Sequence, residues 1–392
     1  MGKKRCKQRK SLDSYKIKKI KKVSERTTDI KEKYSYMNSN IISFSNKEKT
    51  FQCTSHFPKS DLKETDYDYK FLNSAYYKSE RDMHKVFFEN KFAGVIIPVA
   101  FLSESDNSII ENEDSDFKMY ADLAIRKILS SDIIKNVNEP TFSIEDLFPS
   151  ENTLAILLYE KKAIKGNRCL EGYIPALYDA GYCCVENPQV LLPLYCSELR
   201  QQEIDERRLK RTIKIKLFYN IDEQNNSMFY KELFQSILPY NENPLFRYIL
   251  LYQIVEIFSS YSSYNLYISC NERYCKNTIS KNDLREELNK STNDKHLIRY
   301  IYKEINSQGG FYENFSTAVK SLFERISYDG KSLKNYGEYM YAMRNRIVHD
   351  ARSLTSQMSM MKEIVNLYER TTIMLLRDCE KLQMSSKKVR VD

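Results

Sequence analysis

Apolar positions in the C-terminal third recur at helical spacing. Between 356 and 382, Met358, Met361, Val365, Tyr368, Thr372, Leu375, Cys379 and Leu382 step by three and four. Such a heptad-like seam predicts one long amphipathic helix, suited first to the core of an intrachain bundle and second to a dimer zipper. Further helices are expected near 282–290, 293–306, 312–327 and 332–348. Ahead of them Leu245 to Phe258 is apolar nearly all round, which predicts a buried helix. Asn243 suits its N-cap and Pro244 its first turn.

The first half has a different texture. Apolar, β-branched runs at 93–102, 153–159 and 189–195 suit buried strands, and Thr212 to Tyr219 alternates well enough for another. Phe117 to Ile134 has helical spacing, with Tyr120, Leu123, Ile128 and Ile134 on one side. Residues 103–116 and 220–227 read as loops. Residues 197–211 are charged throughout, acidic and then basic, as in an exposed connecting helix. Arg207, Arg208, Lys210 and Arg211 would also suit an RNA path. The pattern predicts an α+β chain: a mixed α/β module over 51–220 and a helical domain over 243–385. Residues 1–50 are expected to form a basic, flexible arm, either a solvated tail or a contact for nucleic acid.

Composition narrows the class. The chain has 392 residues, 42% hydrophobic and 29% charged, a globular balance with room for more than one core. A net charge of +9 favours a polyanionic partner. The 30 tyrosines go with many Lys and Asn, so their number alone does not indicate base stacking. No apolar run approaches the length of a membrane span, and the basic N-terminus lacks the apolar core of a signal peptide. Cys6 stands where a myristoylation signal needs Ser or Thr. The 9 cysteines are scattered and odd in number, which argues against a complete disulfide framework. Neither Cys183-Cys184 nor the Cys270 and Cys275 pair has zinc-ligand spacing. Reduced, mostly buried thiols in a cytoplasmic protein are expected.

Candidate chemistry concentrates in Tyr341-Ala-Met-Arg-Asn-Arg-Ile-Val-His-Asp350. An arginine, an amide and an imidazole fall within a short helical stretch, and the chain has only 4 histidines. A guanidinium grips phosphate oxygens in fork geometry, and an imidazole exchanges a proton near neutral pH. On one straight helix Arg344 and His349 would sit about 140° apart, whereas Asn345 and His349 would share a face. The first two can meet at one phosphate if the helix bends or ends between them, or if a second chain supplies the partner. The bland reading is a surface Arg and His at a helix end, with Arg346 and Asp350 paired at i, i+4. His56, His84 and His296 have no arginine at the corresponding upstream distance and read as structural or surface residues.

This stretch, an Arg, a polar residue, a spacer and a His between helical segments, resembles the HEPN superfamily over about the last 150 residues. The resemblance implies a metal-independent endoribonuclease, active as a homodimer without cofactor, leaving a 2′,3′-cyclic phosphate on RNA. It implies Arg344 as phosphate clamp, Asn345 as polar support and His349 as acid/base. Arg346 lies outside the signature and would assist substrate binding. Gln253 and Glu256 stand in the otherwise apolar run 245–258. They either mark an exposed stripe, or Glu256 holds Arg344 or orients His349. By analogy with such nucleases in defence and toxin systems, the first half would sense a trigger or dock an inhibitory or activating partner. Two alternatives stand beside this reading. One is an inactive helical module that binds RNA or dimerises. The other is a metal-dependent nuclease in the first half, built on Glu160-Lys161-Lys162 with Asp146 or Glu151.

Overall fold

The computed structural model describes residues 34–38, 41–46, 49–74, 83–103, 115–137, 139–148, 153–164, 170–208, 211–217, 226–304, 310–330 and 332–378. The proposed basic arm up to residue 33, most of the 103–116 loop and the C-terminal tail lie outside them. In chain order the strands are β1 (Tyr34–Asn38), β2 (Ile41–Asn46), β3 (Lys49–Thr54), β4 (Tyr67–Ser74), β5 (His84–Phe88), β6 (Lys91–Pro98), β7 (Thr141–Phe142), β8 (Leu154–Glu160), β9 (Tyr182–Val185) and β10 (Thr212–Ile215). The chain is α+β, with sheets in its first half and helices in its second.

Contacts divide it into two units. The smaller draws on residues 1–61 and 103–147, the larger on 62–102 and 148–392. In the smaller unit β1, β2 and β3 form an antiparallel meander, and β7 adds in parallel to β3. These strands begin within the stretch expected as an arm. Phe44 and Phe51 stack at 5.4 Å, with Phe142 edge-on to both. Helix α1 (Ser115–Leu129) buries Phe117, Tyr120, Ala121, Leu123, Ala124, Ile125 and Ile128. Its one fully buried carboxylate, Asp122, accepts from the Ser60 backbone N–H at 2.9 Å and from Arg126 at 3.0 Å.

The larger unit holds a six-stranded sheet, ordered β10-β5-β6-β8-β4-β9. All its pairings are antiparallel except β10 with β5. Strand β8 is paired on both edges, and Leu154 to Tyr159 is buried without alternation, so both its faces are covered, as its apolar run implies. Gly94 on β6 opposes Tyr159, and a Cβ there would lie 1.9 Å from the Leu158 carbonyl oxygen. The run 189–195 is not a buried strand. It is irregular, punctuated by Pro188 and Pro193, and leaves Val190 and Leu192 exposed. Proline removes ladder donors, which overrides the apolar composition here.

Besides a single turn at Val99–Leu102, the α-helices of this unit among the described residues, numbered on from α1, are α2 (Ile174–Asp179), α3 (Glu198–Arg208), α4 (Asn226–Glu232), α5 (Pro244–Cys275), α6 (Lys281–Ser291), α7 (Asp294–Glu304), α8 (Gly310–Arg325), α9 (Tyr336–Asp350) and α10 (Met358–Asp378). Asn243 caps α5, its side chain accepting from the Leu245 and Phe246 N–H groups at 3.0 and 3.2 Å. Helix α5 runs well past Phe258. Its continuation is rich in Ser, Tyr and Asn, which hides the helical period from a hydropathy reading. Ser280 and Asp283 form a capping box on α6. Helix α10 packs on α5 and α8 and is buried on most sides, so its apolar seam serves intrachain core. Many tyrosines are core residues: Tyr248 stacks on Tyr368 at 4.3 Å, and Tyr302, Tyr312 and Tyr336 pack edge to face. The Tyr248 hydroxyl donates to the Met340 carbonyl at 2.8 Å.

Candidate functional site

Helix α9 carries the arginine and histidine. Asn335 caps it by accepting from the Glu338 N–H at 3.1 Å. Met340, Met343 and Ile347 recur at helical spacing and face the core. Arg344 follows on the margin of that buried face and is half-buried. His349 lies about 180° round the axis from Met340, so it points away from the bundle, and it is exposed. The helix is continuous across the motif and ends at Asp350, after the histidine. It neither bends nor ends between Arg344 and His349, so within one chain the two stay on different faces, about 140° apart.

Helix α5 fixes Arg344. The guanidinium Nη2 lies 3.6 Å from Glu256 Oε1, and its carbon lies 5.4 Å from the centre of the Tyr252 ring. Nη1 donates to Asn345 Oδ1 at 3.2 Å. Of the two roles expected for Glu256, the geometry is that of a carboxylate holding Arg344. Burial raises the Tyr252 phenol above its ordinary value; Arg344 opposes that rise, and Glu256 and Asp294 add to it. Tyr252, which no pattern in the sequence distinguishes from the other tyrosines, therefore joins this group. Gln253 is half-buried one position along the helix.

Arg346 is committed elsewhere. Its Nη2 pairs with Asp350 at 2.7 Å and its Nε donates to Ser353 Oγ at 3.0 Å. Its guanidinium also stands 5.4 Å from the Tyr328 ring centre. These contacts tie the end of α9 to the turn that follows. In the proposed RNA path, Arg207 and Arg208 end α3, but their side chains and all of Lys210 fall outside the described residues. Arg211 is exposed, with a left-handed φ of 46°, and its carbonyl accepts from Lys85 at 3.0 Å in the lead-in to β10.

The remaining candidates sort by their surroundings. His84 is buried on β5, with Nδ1 3.1 Å from the Tyr182 hydroxyl. Glu160 ends β8; Lys162 pairs with it at 3.1 Å and the Tyr67 hydroxyl donates to it at 3.4 Å. Asp146 belongs to the other unit and binds the Ser143 backbone and hydroxyl, while Glu151 lies outside the described residues. Among the described residues no three His, Cys, Asp or Glu side chains cluster as metal ligands would. No helix among them is long and apolar enough to cross a membrane. Cys53, Cys183 and Cys184 are buried free thiols, and burial pushes each up to about 12.

A second charged cluster went unseen in the sequence. Glu369 of α10 is buried and accepts from Arg247 of α5, from Arg200 of α3 at 3.2 Å and from the Tyr178 hydroxyl at 2.9 Å. Arg247, only 1% exposed, also donates to the Leu238 and Asn241 carbonyls. Arg200 donates to the Tyr178 carbonyl and lies 3.7 Å from that ring's centre. Beside them Arg370 bridges Asp179 and Glu203, and Arg377 reaches Asp179 at 3.2 Å. Burial raises the Glu369 carboxyl, but Arg247 and then Arg200 outweigh it and hold the group below its ordinary range. The available signal was phase: Glu369 recurs with Val365, Thr372 and Leu376 on a buried face, where an unpaired carboxylate would be costly. The cluster is satisfied internally and reads as architecture rather than a reaction centre.

No family model, curated protein or solved structure matches the chain.

Proposed function

We propose that the chain is a metal-independent endoribonuclease of HEPN type that works as a symmetric dimer. The observation that carries the reading is the arrangement on α9. A guanidinium is braced by Glu256 and Tyr252 at the surface, and an exposed imidazole ends the same unbroken helix. The RNA 2′-hydroxyl is the nucleophile. It needs a base, an acid at the leaving 5′-oxygen, and positive charge on the phosphorane-like transition state. One imidazole cannot easily make both proton transfers in one step, and one straight helix does not turn both side chains to one phosphate. A two-fold axis beside α9 would answer both needs, since it sets two histidines and two arginines across one cleft. Val348, next to His349, is a large apolar residue left 49% exposed, as an interface would use.

Arg344 clamps the phosphate, Asn345 orients it and supports Arg344, and His349 moves the protons. Arg346 closes the helix end and stays out of the chemistry. A role as a defence or toxin effector, restrained until triggered, fits this activity and belongs to the same proposal. The test is cleavage of tRNA and total RNA by the full chain in EDTA. His349→Ala and Arg344→Ala should abolish it with circular dichroism unchanged, and end-group analysis should find 2′,3′-cyclic phosphate. Equal activity in either variant removes the assignment, as does a strict requirement for magnesium.

A further inference from the structure

One line along α5 faces outward for most of the helix. From Phe246 to Tyr274 it steps by 3, 4, 3 and 4 residues to Ser260, and then by 4, 3, 4 and 3. At 3.6 residues per turn these positions stay within about 40° of one line, and each is exposed or half-buried. Phe246, Tyr264, Tyr267 and Tyr274 are 49%, 63%, 51% and 41% exposed, four of the eleven large apolar residues left exposed among the described ones. A sustained spacing of three and four is the pattern of a helix that packs along another helix. The seam of α10 finds its partners inside the bundle; this one is turned away from them.

The spacing is a palindrome about Ser260, so the line complements itself when a second copy of α5 runs the opposite way. Across a two-fold axis at Ser260, Glu256 stands level with the partner's Tyr264, and Gln253 with the partner's Tyr267. Ile249 meets the partner's Asn271, and Phe246 the partner's Tyr274. The members of each pair lean to opposite sides of the line, so they fit side by side. Two pairs set a phenol hydroxyl against a carboxylate or an amide that can accept from it, and a third sets ring against ring. Ser260 at the centre is small, so the backbones can approach closely. The area is of the right order: the four rings, about half exposed at about 200 Å² each, offer about 400 Å² per chain. Two copies give about 800 Å² before the polar positions are added, against the about 1,200 Å² at which specific interfaces begin.

Helix α9 runs beside α5 in the same direction, since Tyr248 meets Met340 and, two turns on, Glu256 meets Arg344. The end of α9, at Val348 and His349, therefore falls level with residues 257–260 of α5. We infer that α5 pairs antiparallel with the α5 of a second copy about a two-fold axis at Ser260, so that both α9 ends flank that axis. The pairing is argued from α5 alone. Its functional sense rests on the ribonuclease reading, to which it adds the position of the axis and hence of the two His349 imidazoles.

Cross-linking of the full chain tests the register. With axes about 8–10 Å apart and Cα atoms about 2.3 Å from each axis, the two Ser260 Cα atoms would lie about 3.5–5.5 Å apart. That is within disulfide reach. Ser260→Cys, oxidised with copper phenanthroline, should give a covalent dimer whose 260–260 link is found by mass spectrometry of the non-reduced peptides. Glu256→Cys alone should not link to itself, because its two copies would stand about 12 Å apart along the helices; combined with Tyr264→Cys it should. In sedimentation velocity the wild type should be a dimer. Tyr264→Glu, which sets a carboxylate beside the partner's Glu256, should weaken dimerisation about tenfold, with circular dichroism unchanged because the side chain is exposed. A wild-type chain that stays monomeric, a Ser260→Cys chain without a 260–260 link, or an equal self-link through Glu256→Cys overturns the pairing. The two proposals fail separately. If His349→Ala abolishes RNA cleavage but no 260–260 link forms, the pairing is wrong and the nuclease stands. If the link forms but RNA is never cut, the pairing stands and the nuclease falls.

Discussion

Replacing Arg247 by alanine should be among the most damaging single changes in the larger unit. Its guanidinium is the closest partner of the buried Glu369 carboxylate and also satisfies the Leu238 and Asn241 carbonyls. Truncation leaves Glu369 with Arg200 and the Tyr178 hydroxyl, and it takes the guanidinium donors from two carbonyls. Breaking a buried pair from one side costs about 3–5 kcal/mol. The chain has no tryptophan, so far-ultraviolet circular dichroism in urea is the direct readout. With a slope of about 3 kcal/mol per molar, the midpoint should fall by about 1 M or more. The partner change Glu369→Leu should also destabilise, since it strands Arg247 and Arg200 together, but Arg247→Met with Glu369→Leu should cost less than the two changes summed, because the Arg247–Glu369 pair is then removed from both sides and only Arg200 is left without its carboxylate.

Acid sharpens the test. Glu369 is held below its ordinary range when folded. Its contribution is therefore fully present at neutral pH. It begins to fade below about pH 4.3, the unfolded value, and is lost as pH falls through the folded value. The gap between wild type and Arg247→Ala should be widest near pH 7 and close on acidification. A loss below about 1 kcal/mol at pH 7, or strict additivity in the cycle, would refute the claim that this buried pair acts as a unit.

Three further outcomes follow. Glu256→Gln should leave stability within about 0.5 kcal/mol, since the pair is exposed, yet reduce RNA cleavage by loosening Arg344; unchanged kcat/KM would separate Glu256 from the site. Gly94→Ala should destabilise by about 3 kcal/mol, because the added methyl meets a backbone carbonyl that cannot swing aside, and an unaltered melting temperature would contradict that packing. With a thiol reagent at pH 8, exposed Cys275 should react well before buried Cys53, Cys183 and Cys184, whose thiolates are suppressed; mass spectrometry of early adducts would show the order.

Periodicity was legible where one face of an element meets the core. Strand β8 is an uninterrupted apolar run because both its faces are covered, and α10 follows its three-and-four spacing. Composition misled where backbone chemistry decides. The stretch 189–195 looks like a strand until Pro188 and Pro193 are weighed as missing donors. The continuation of α5 beyond Phe258 was hidden because tyrosine and serine blur the apolar period. Glu256 lies on the exposed side of α5, as the stripe reading has it, so burial does not call for a cation there and its 3.6 Å approach to Arg344 comes from how α9 packs on α5. The cluster around Glu369 could not be anticipated, because its members lie far apart in the chain, from Tyr178 to Arg370, and only the fold gathers them.

That gathering has a consequence for how this protein can be divided. Arg200 and the Tyr178 hydroxyl share Glu369 with Arg247, and Asp179 pairs with Arg370 and Arg377, so α10 takes buried partners from residues ahead of α5. A fragment beginning near residue 243 would keep Arg247 beside Glu369 but lose the Arg200, Tyr178 and Asp179 contacts, and should be markedly less stable than the whole unit. A protease that nicked the chain ahead of α5 would therefore not liberate a working half; the severed parts should stay clasped or collapse together.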